Sequence, residues 1–146
     1  MSDALTADER NWAMFANLAG LFLLSHIPFA NIVAPLLVYL KARDQHWPFA
    51  LQHARASLNF QITFTLGMIL GIVLAFASCG GAVIALVAEG NRIESAGPPF
   101  AFLFWLFAWI AVLLVAVVAN VIACVLGAIA ASNGRAFHYP AIRFVS

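Results

Sequence analysis

Apolar residues gather into long runs, and short polar breaks between them set the elements. Thr6-Ala7-Asp8-Glu9 has the form of a capping box, so a first helix is expected from Ala7, turning apolar at Trp12. Its apolar stretch, Trp12 to Ile27, is about 16 residues, or roughly 24 Å of helix. Pro28 and Asn31 interrupt the run, and a second stretch, Ile32 to Leu40, ends in Lys41-Ala42-Arg43-Asp44. Both fall short of the ~20 residues of a comfortable membrane span, and Pro35 would kink the second. Residues 7–44 therefore read as a short, proline-broken helical hairpin, either a thin two-span pair or a re-entrant one.

In residues 45–57, Trp47, Ala50, Leu51 and Ala54 recur at helical spacing against Gln52, His53 and Arg55. With Pro48 suited to a first turn, this predicts a short interfacial helix. A third segment over 58–88 and a fourth over 100–131 follow, joined by an outer loop, 89–99, and closed by a polar tail, 132–146. Each long segment would measure near 47 Å as helix, too much for a core of about 30 Å at ordinary tilt. Ser78-Cys79-Gly80-Gly81 is the expected break in the third. The fold class is all-α: an integral membrane four-helix bundle, a single domain over 1–146.

Composition agrees, since the chain is 64% hydrophobic and only 9% charged. A soluble domain carries about 25% charged residues, so the solvent here must be largely lipid. Net charge is +1, which gives no field for recruiting nucleic acid. Placement of charge sets orientation. Four passes put Arg10, Lys41, Arg43, Arg55, Arg135 and Arg143 on one side and only Arg92, between Glu89 and Glu94, on the other. The positive-inside rule then places both termini in the cytoplasm. The acidic opening, Met1 to Arg10, is the reverse of a signal peptide's basic start, so the first hydrophobic segment is expected to stay.

Gly67-Met68-Ile69-Leu70-Gly71 is the most specific packing signal, continued by Ala75 and Cys79 as a smooth ridge. The fourth segment offers a matching row of Ala116, Asn120, Cys124 (or Ala123) and Gly127. Small residues let helix backbones approach in lipid, so the rows serve either packing within the chain or a homodimer seam. Polar residues inside apolar segments, Asn17, Ser25, His26, Asn31, Asn59, Gln61, Thr63, Thr65 and Asn120, are costly there and invite a functional reading. None is a carboxylate, Lys or Arg, as a proton or sodium pump would need. His26 could sense protons near the hairpin turn. His46, His53 and His138 with Asp44 could in principle bind zinc, but no tight ligand pairing such as HxxxH or CxxC supports a metal site. No nucleophile elbow, HExxH or phosphate loop is present, so neither an enzyme nor a cofactor is expected. Cys79 and Cys124 lie at mismatched depths and read as packing residues.

Several strings carry a family resemblance: Glu9-Arg10-Asn11-Trp12-Ala13-Met14, Ile27-Pro28-Phe29-Ala30-Asn31-Ile32-Val33-Ala34-Pro35-Leu36, Ser57-Leu58-Asn59-Phe60-Gln61 after His53, Ser132-Asn133-Gly134, and Tyr139-Pro140-Ala141-Ile142-Arg143-Phe144. Together they resemble a bacterial family of small membrane proteins of unknown function, distantly similar to the Tic-type component of the chloroplast inner-envelope translocon. The resemblance implies a four-helix membrane domain of the bacterial inner membrane, acting in a channel or assembly. Its motif positions here are Trp12, Pro28, Asn31, Pro35, His53, Asn59, Gln61, Asn133, Gly134, Tyr139 and Pro140, none with a catalytic role. Before Asn59 the chain departs from the pattern, with Gln52, Ala54 and Arg55 at acidic and Lys positions. The expectation is a non-enzymatic membrane subunit whose partners are the bilayer and a second copy or another membrane protein. The alternative is a translocon-like pore lined by Asn31, Asn59, Gln61 and Asn120.

Overall fold

The computed structural model describes residues 5–25, 27–89 and 97–145. Helix α1, Ala7–Leu18, gives way to a 3-10 helix, Ala19–Ser25; α2 spans Ala30–Asp44, α3 Pro48–Glu89 and α4 Gly97–Ser132. No strand occurs among the described residues. Two helices are long and apolar enough to cross a membrane, over Pro48–Gly81 and Phe102–Ser132. At 12 and 15 residues, α1 and α2 are shorter than a span of about 20.

The expected start of α1 is present: Thr6 caps the helix, its hydroxyl accepting from Glu9 N–H at 3.2 Å. The other half of the capping box is not formed. Glu9 is buried and its carboxylate accepts the Phe49 N–H at 2.7 Å instead, so it caps the first turn of α3, where helix dipole and free N–H groups favour an anion. Both corners of α2 turn through a left-handed residue, Phe29 (φ 60°) before it and His46 (φ 55°) after it. At the second corner His46 N–H donates to Arg43 O at 3.3 Å and Trp47 N–H to Ala42 O at 2.9 Å. That is a Schellman ending with histidine where glycine is usual. The same ending closes α4 with Gly134 (φ 68°), where Arg135 N–H reaches Ala130 O at 2.9 Å.

Two expected boundaries are corrected. The short helix expected over 45–57 is not separate but the opening of α3, which runs on through Ser57. Nor does α3 break at Ser78-Cys79-Gly80-Gly81; Ser78 Oγ donates to Ala75 O at 3.0 Å, a bond an α-helix accommodates. An interrupted helix exposes N–H and C=O groups that lipid cannot satisfy, which outweighs the weak helix preference of two glycines. The first segment is corrected too, since its second half is 3-10 rather than α. Residues 90–96, most of the expected outer loop with Arg92 and Glu94, lie outside the described residues, as does His26.

The chain forms two compact units, Met1–Thr65 with Ala119–Ser146, and Leu66–Val118. The first has an alanine core: Ala13, Ala42, Ala50 and Ala131 form one cluster, and Ala16, Val38 and Ala54 another, both under Trp12. Large apolar side chains stand outside, among them Leu37, Phe15 and Ile27. Small residues inside and large apolar ones outside is the arrangement that lipid, not water, stabilises. In the second unit a Cβ on Gly71 would touch Leu113 Cδ2 at 3.4 Å, whereas one on Gly67 would meet nothing within 4 Å.

Candidate functional site

The most deeply buried large side chains of the first unit are polar: His53, Gln61, Asn17 and Asn120. Two hydrogen-bonded clusters account for them. In the first, Asn31 of α2 donates from Nδ2 to Gln61 Oε1 at 3.1 Å and to Thr65 Oγ1 at 3.0 Å. Gln61 then donates from Nε2 to Asn120 Oδ1 of α4 at 3.1 Å and to Cys124 Sγ at 3.3 Å. One amide thus ties α2, α3 and α4. The 3-10 helix closes over it at Gly20, where a Cβ would strike the Gln61 amide and lie 2.6 Å from Cys124 Sγ. Asn120 Nδ2 is buried in this cluster without a hydrogen-bond partner.

The second cluster holds α1, α3 and the segment after α4. Asn17 Nδ2 donates to Ala13 O at 2.7 Å and meets His53 Nδ1 at 3.0 Å, while Asn17 Oδ1 accepts from the Tyr139 hydroxyl at 2.7 Å. His53 Nε2 contacts Arg135 O at 3.1 Å. Burial pushes the Tyr139 phenol well above its ordinary range, with a smaller contribution from the Cys124 thiol, so its hydroxyl remains a donor. The ring stacks on Phe60 at 4.6 Å. Ser57 Oγ adds a bond to Ala16 O at 2.7 Å.

Residues 135–145 are not helical, and α3 side chains bond the backbone of Arg135, Ile142, Phe144 and Val145. Asn59 Oδ1 accepts from Phe144 N–H at 2.9 Å and Val145 N–H at 2.8 Å, and its Nδ2 donates to Val145 O at 3.1 Å. One turn on, Thr63 Oγ1 accepts from Ile142 N–H at 3.1 Å. Non-helical backbone beside an apolar helix carries unpaired groups, and these two side chains supply partners for those of Ile142, Phe144 and Val145.

The structure thus brings together Asn31, Gln61 and Asn120 in one cluster, and His53, Asn59 and Tyr139 around the C-terminal segment. Trp12 covers the alanine core, 6.5 Å from Trp47, and Pro35 is buried within α2. Pro28 lies in the turn before α2, Asn133 Nδ2 binds Ile129 O at 2.9 Å, and Pro140 sits at a bend. The expected packing residues divide. Asn120 and Gly127 belong to the first unit, and Gly67, Gly71, Ala75 and Ala116 to the second. A Cβ on Gly127 would strike the Tyr139 hydroxyl and lie 2.7 Å from Asn17 Oδ1. Sequence reasoning missed the roles of Gly20, Ser57 and Glu9, and saw Asn17 only as an isolated polar residue; their partners lie 36 or more residues away, where no spacing rule reaches. No group of three or more His, Cys, Asp or Glu side chains able to hold a metal occurs among the described residues, and both cysteines are free.

Comparisons with curated proteins and with solved structures find no match. A family match covers residues 8–145, and so includes every motif position named above; it gives no support to a Tic-type relationship. By that coverage the chain belongs to the magnetosome magnetite crystal formation protein family, MamF_MmsF.

Proposed function

We propose that the protein is a non-enzymatic, multi-pass subunit of a magnetosome-type membrane, where it contributes to magnetite crystal formation by associating with other membrane proteins or with itself. The family match is the observation that carries this reading. The interior supports a packing role: the buried amides bond one another and the backbone, which is how a packing scaffold uses polar groups. In this reading both termini face the cytoplasm, following the positive-inside bias, and α1 and α2 form a hairpin beside the two long helices. Gly67, open on an exposed stretch of α3, is the position at which a second helix could approach. Deleting the gene in its host and imaging the mineral tests the role. Crystals altered in size or number, restored by the wild-type chain, are expected; unaltered crystals would refute it. Crosslinking a Gly67→Cys variant in membranes tests association, with a dimer band expected and monomer alone opposing it.

The pore reading draws no comparable support. Asn31, Asn59 and Gln61 are buried and committed to protein partners, and Asn120 is 1% exposed.

A further inference from the structure

One face of the α1–α2 hairpin is cut by an open apolar groove of about 520 Å³. Trp12, Phe15 and Phe22 wall it on one side and Leu37 on the other; Phe15 is 59%, Phe22 52% and Leu37 61% exposed, so they form its rim. Ala19 and Ala34 also face it, and with one methyl each they leave the space between the walls unfilled. In a 3-10 helix residues i and i+3 eclipse, so Phe22 stands beyond Ala19 and carries the wall onward. From Trp12 to Phe22 the groove runs about 17 Å, close to one leaflet of a ~30 Å hydrocarbon core.

Charge is ordered along the polar end of this groove. Ala13 and Ala42 share one core cluster, and Ala16 and Val38 the other, so the two helices are antiparallel and Lys41 lies level with Trp12. Lys41 follows Leu37 by four residues and continues the α2 wall by one turn. Asp8 precedes Trp12 by four residues and Asp44 follows Lys41 by three, which places a carboxylate on each helix about 4–6 Å farther out. Lys41, Asp8 and Asp44 are exposed, and the Asp44 carboxylate accepts from its neighbour Gln45 at 3.0 Å. Arg10 stands two residues from Trp12, and Arg43 two from Lys41, so neither shares the groove's face. From the inside outward the groove is apolar, then positive, then negative.

We propose that this groove binds one phospholipid with a zwitterionic headgroup, a phosphatidylethanolamine. An acyl chain fills the apolar channel. The phosphate meets the Lys41 ammonium and the Trp12 indole N–H, which can only donate, and the terminal ammonium donates to Asp8 and Asp44. Lys and Trp are the side chains that place a polar tip at headgroup level above an apolar body. Headgroups differ at the outermost position. A glycerol headgroup presents neutral hydroxyls there and leaves the lipid net negative beside two carboxylates. A choline headgroup keeps the positive charge but has no N–H to donate. The site rests on the membrane placement of the chain and not on its role in mineral formation.

The test is the full chain in nanodiscs of equimolar phosphatidylethanolamine and phosphatidylglycerol, released for native mass spectrometry and read as the lipid retained. One phosphatidylethanolamine per chain is expected, preferred about fivefold, the scale of one charge contact at a membrane surface. Lys41→Gln should cut retention by a similar factor, whereas Arg43→Gln should leave it unchanged. Asp8→Asn with Asp44→Asn should remove the headgroup preference while lipid is still retained. Ala34→Phe fills the channel from a half-buried position outside the alanine core and should abolish retention of both lipids. Should that variant not fold, phosphatidylethanolamine with a photoactivatable acyl chain should label the wild type within 12–22 and 34–38. Phosphatidylglycerol retained as readily, an unchanged preference in the Asp8 and Asp44 double variant, equal effects of Lys41→Gln and Arg43→Gln, or labelling that avoids these residues would each overturn the site. None of these outcomes depends on crystal growth, so the site can fail while the mineral role stands.

Discussion

Replacing Gly127 by alanine should destabilise the protein by an amount the surroundings set. The added methyl would strike the Tyr139 hydroxyl and lie 2.7 Å from Asn17 Oδ1 and 3.0 Å from Tyr139 Cζ. Neither neighbour retreats easily. Asn17 is held by Ala13 O and His53, and the Tyr139 ring stacks on Phe60 at 4.6 Å and meets Phe137 edge-on at 4.8 Å. Overpacking of this kind costs about 1–3 kcal/mol. Displacing the hydroxyl leaves Asn17 Oδ1 unpaired in a buried site, a further ~1–3 kcal/mol. Alanine's better helix propensity returns about 1 kcal/mol, so the net loss is about 1–5 kcal/mol. Thermal or SDS unfolding in micelles, followed by circular dichroism, reads it directly. Two comparisons isolate the cause. Gly67→Ala meets nothing within 4 Å and should cost nothing in the monomer. Adding Tyr139→Phe to Gly127→Ala removes the struck oxygen and should recover part of the loss. A Gly127→Ala variant as stable as the wild type would refute the close approach of α4 to Asn17 and Tyr139.

Gly20→Ala should destabilise comparably, because its methyl meets the Gln61 amide and Cys124 Sγ, and the same unfolding assay reads it. Glu9→Ala leaves the Phe49 N–H without its acceptor and should cost about 1–3 kcal/mol, with hydrogen exchange increasing first at the start of α3. Asn59→Ala deletes three bonds to the C-terminal segment and should raise exchange at Phe144 and Val145 while sparing Ile142, which Thr63 holds.

The local signals in the sequence were readable because they act over one turn. Thr6 announces α1, Pro28 marks the corner before α2, and Asn133-Gly134 ends α4. Continuity of α3 was not readable from residue preference, since Gly80-Gly81 looks like a break in water and is not one where backbone groups lack solvent. His46 drew attention as a possible ligand; its left-handed backbone shows a helix ending instead. The buried network was half legible. Asn31, Asn59, Gln61 and Asn120 stood out as polar residues in apolar runs, but their partners did not. Tyr139 reaches Asn17 across 122 positions, and Asn59 reads the backbone of Phe144 and Val145 rather than any side chain. The string Leu58-Asn59-Phe60-Gln61 now has a physical content: Asn59 serves the C-terminal segment, Phe60 stacks on Tyr139, and Gln61 joins α2 to α4.

The central claim is that the polar side chains of the apolar helices are spent on holding the protein together, not on a water path. Side-chain amide exchange of the unmodified protein in nanodiscs, followed by NMR at Asn17, Asn31, Gln61 and Asn120, tests it most directly. The closed network predicts that the bonded amide protons of Asn17, Asn31 and Gln61 exchange far more slowly than those of the exposed Gln52 and Asn133. Exchange at Asn31, Gln61 and Asn120 as fast as at those surface residues would contradict it and return the pore reading to favour.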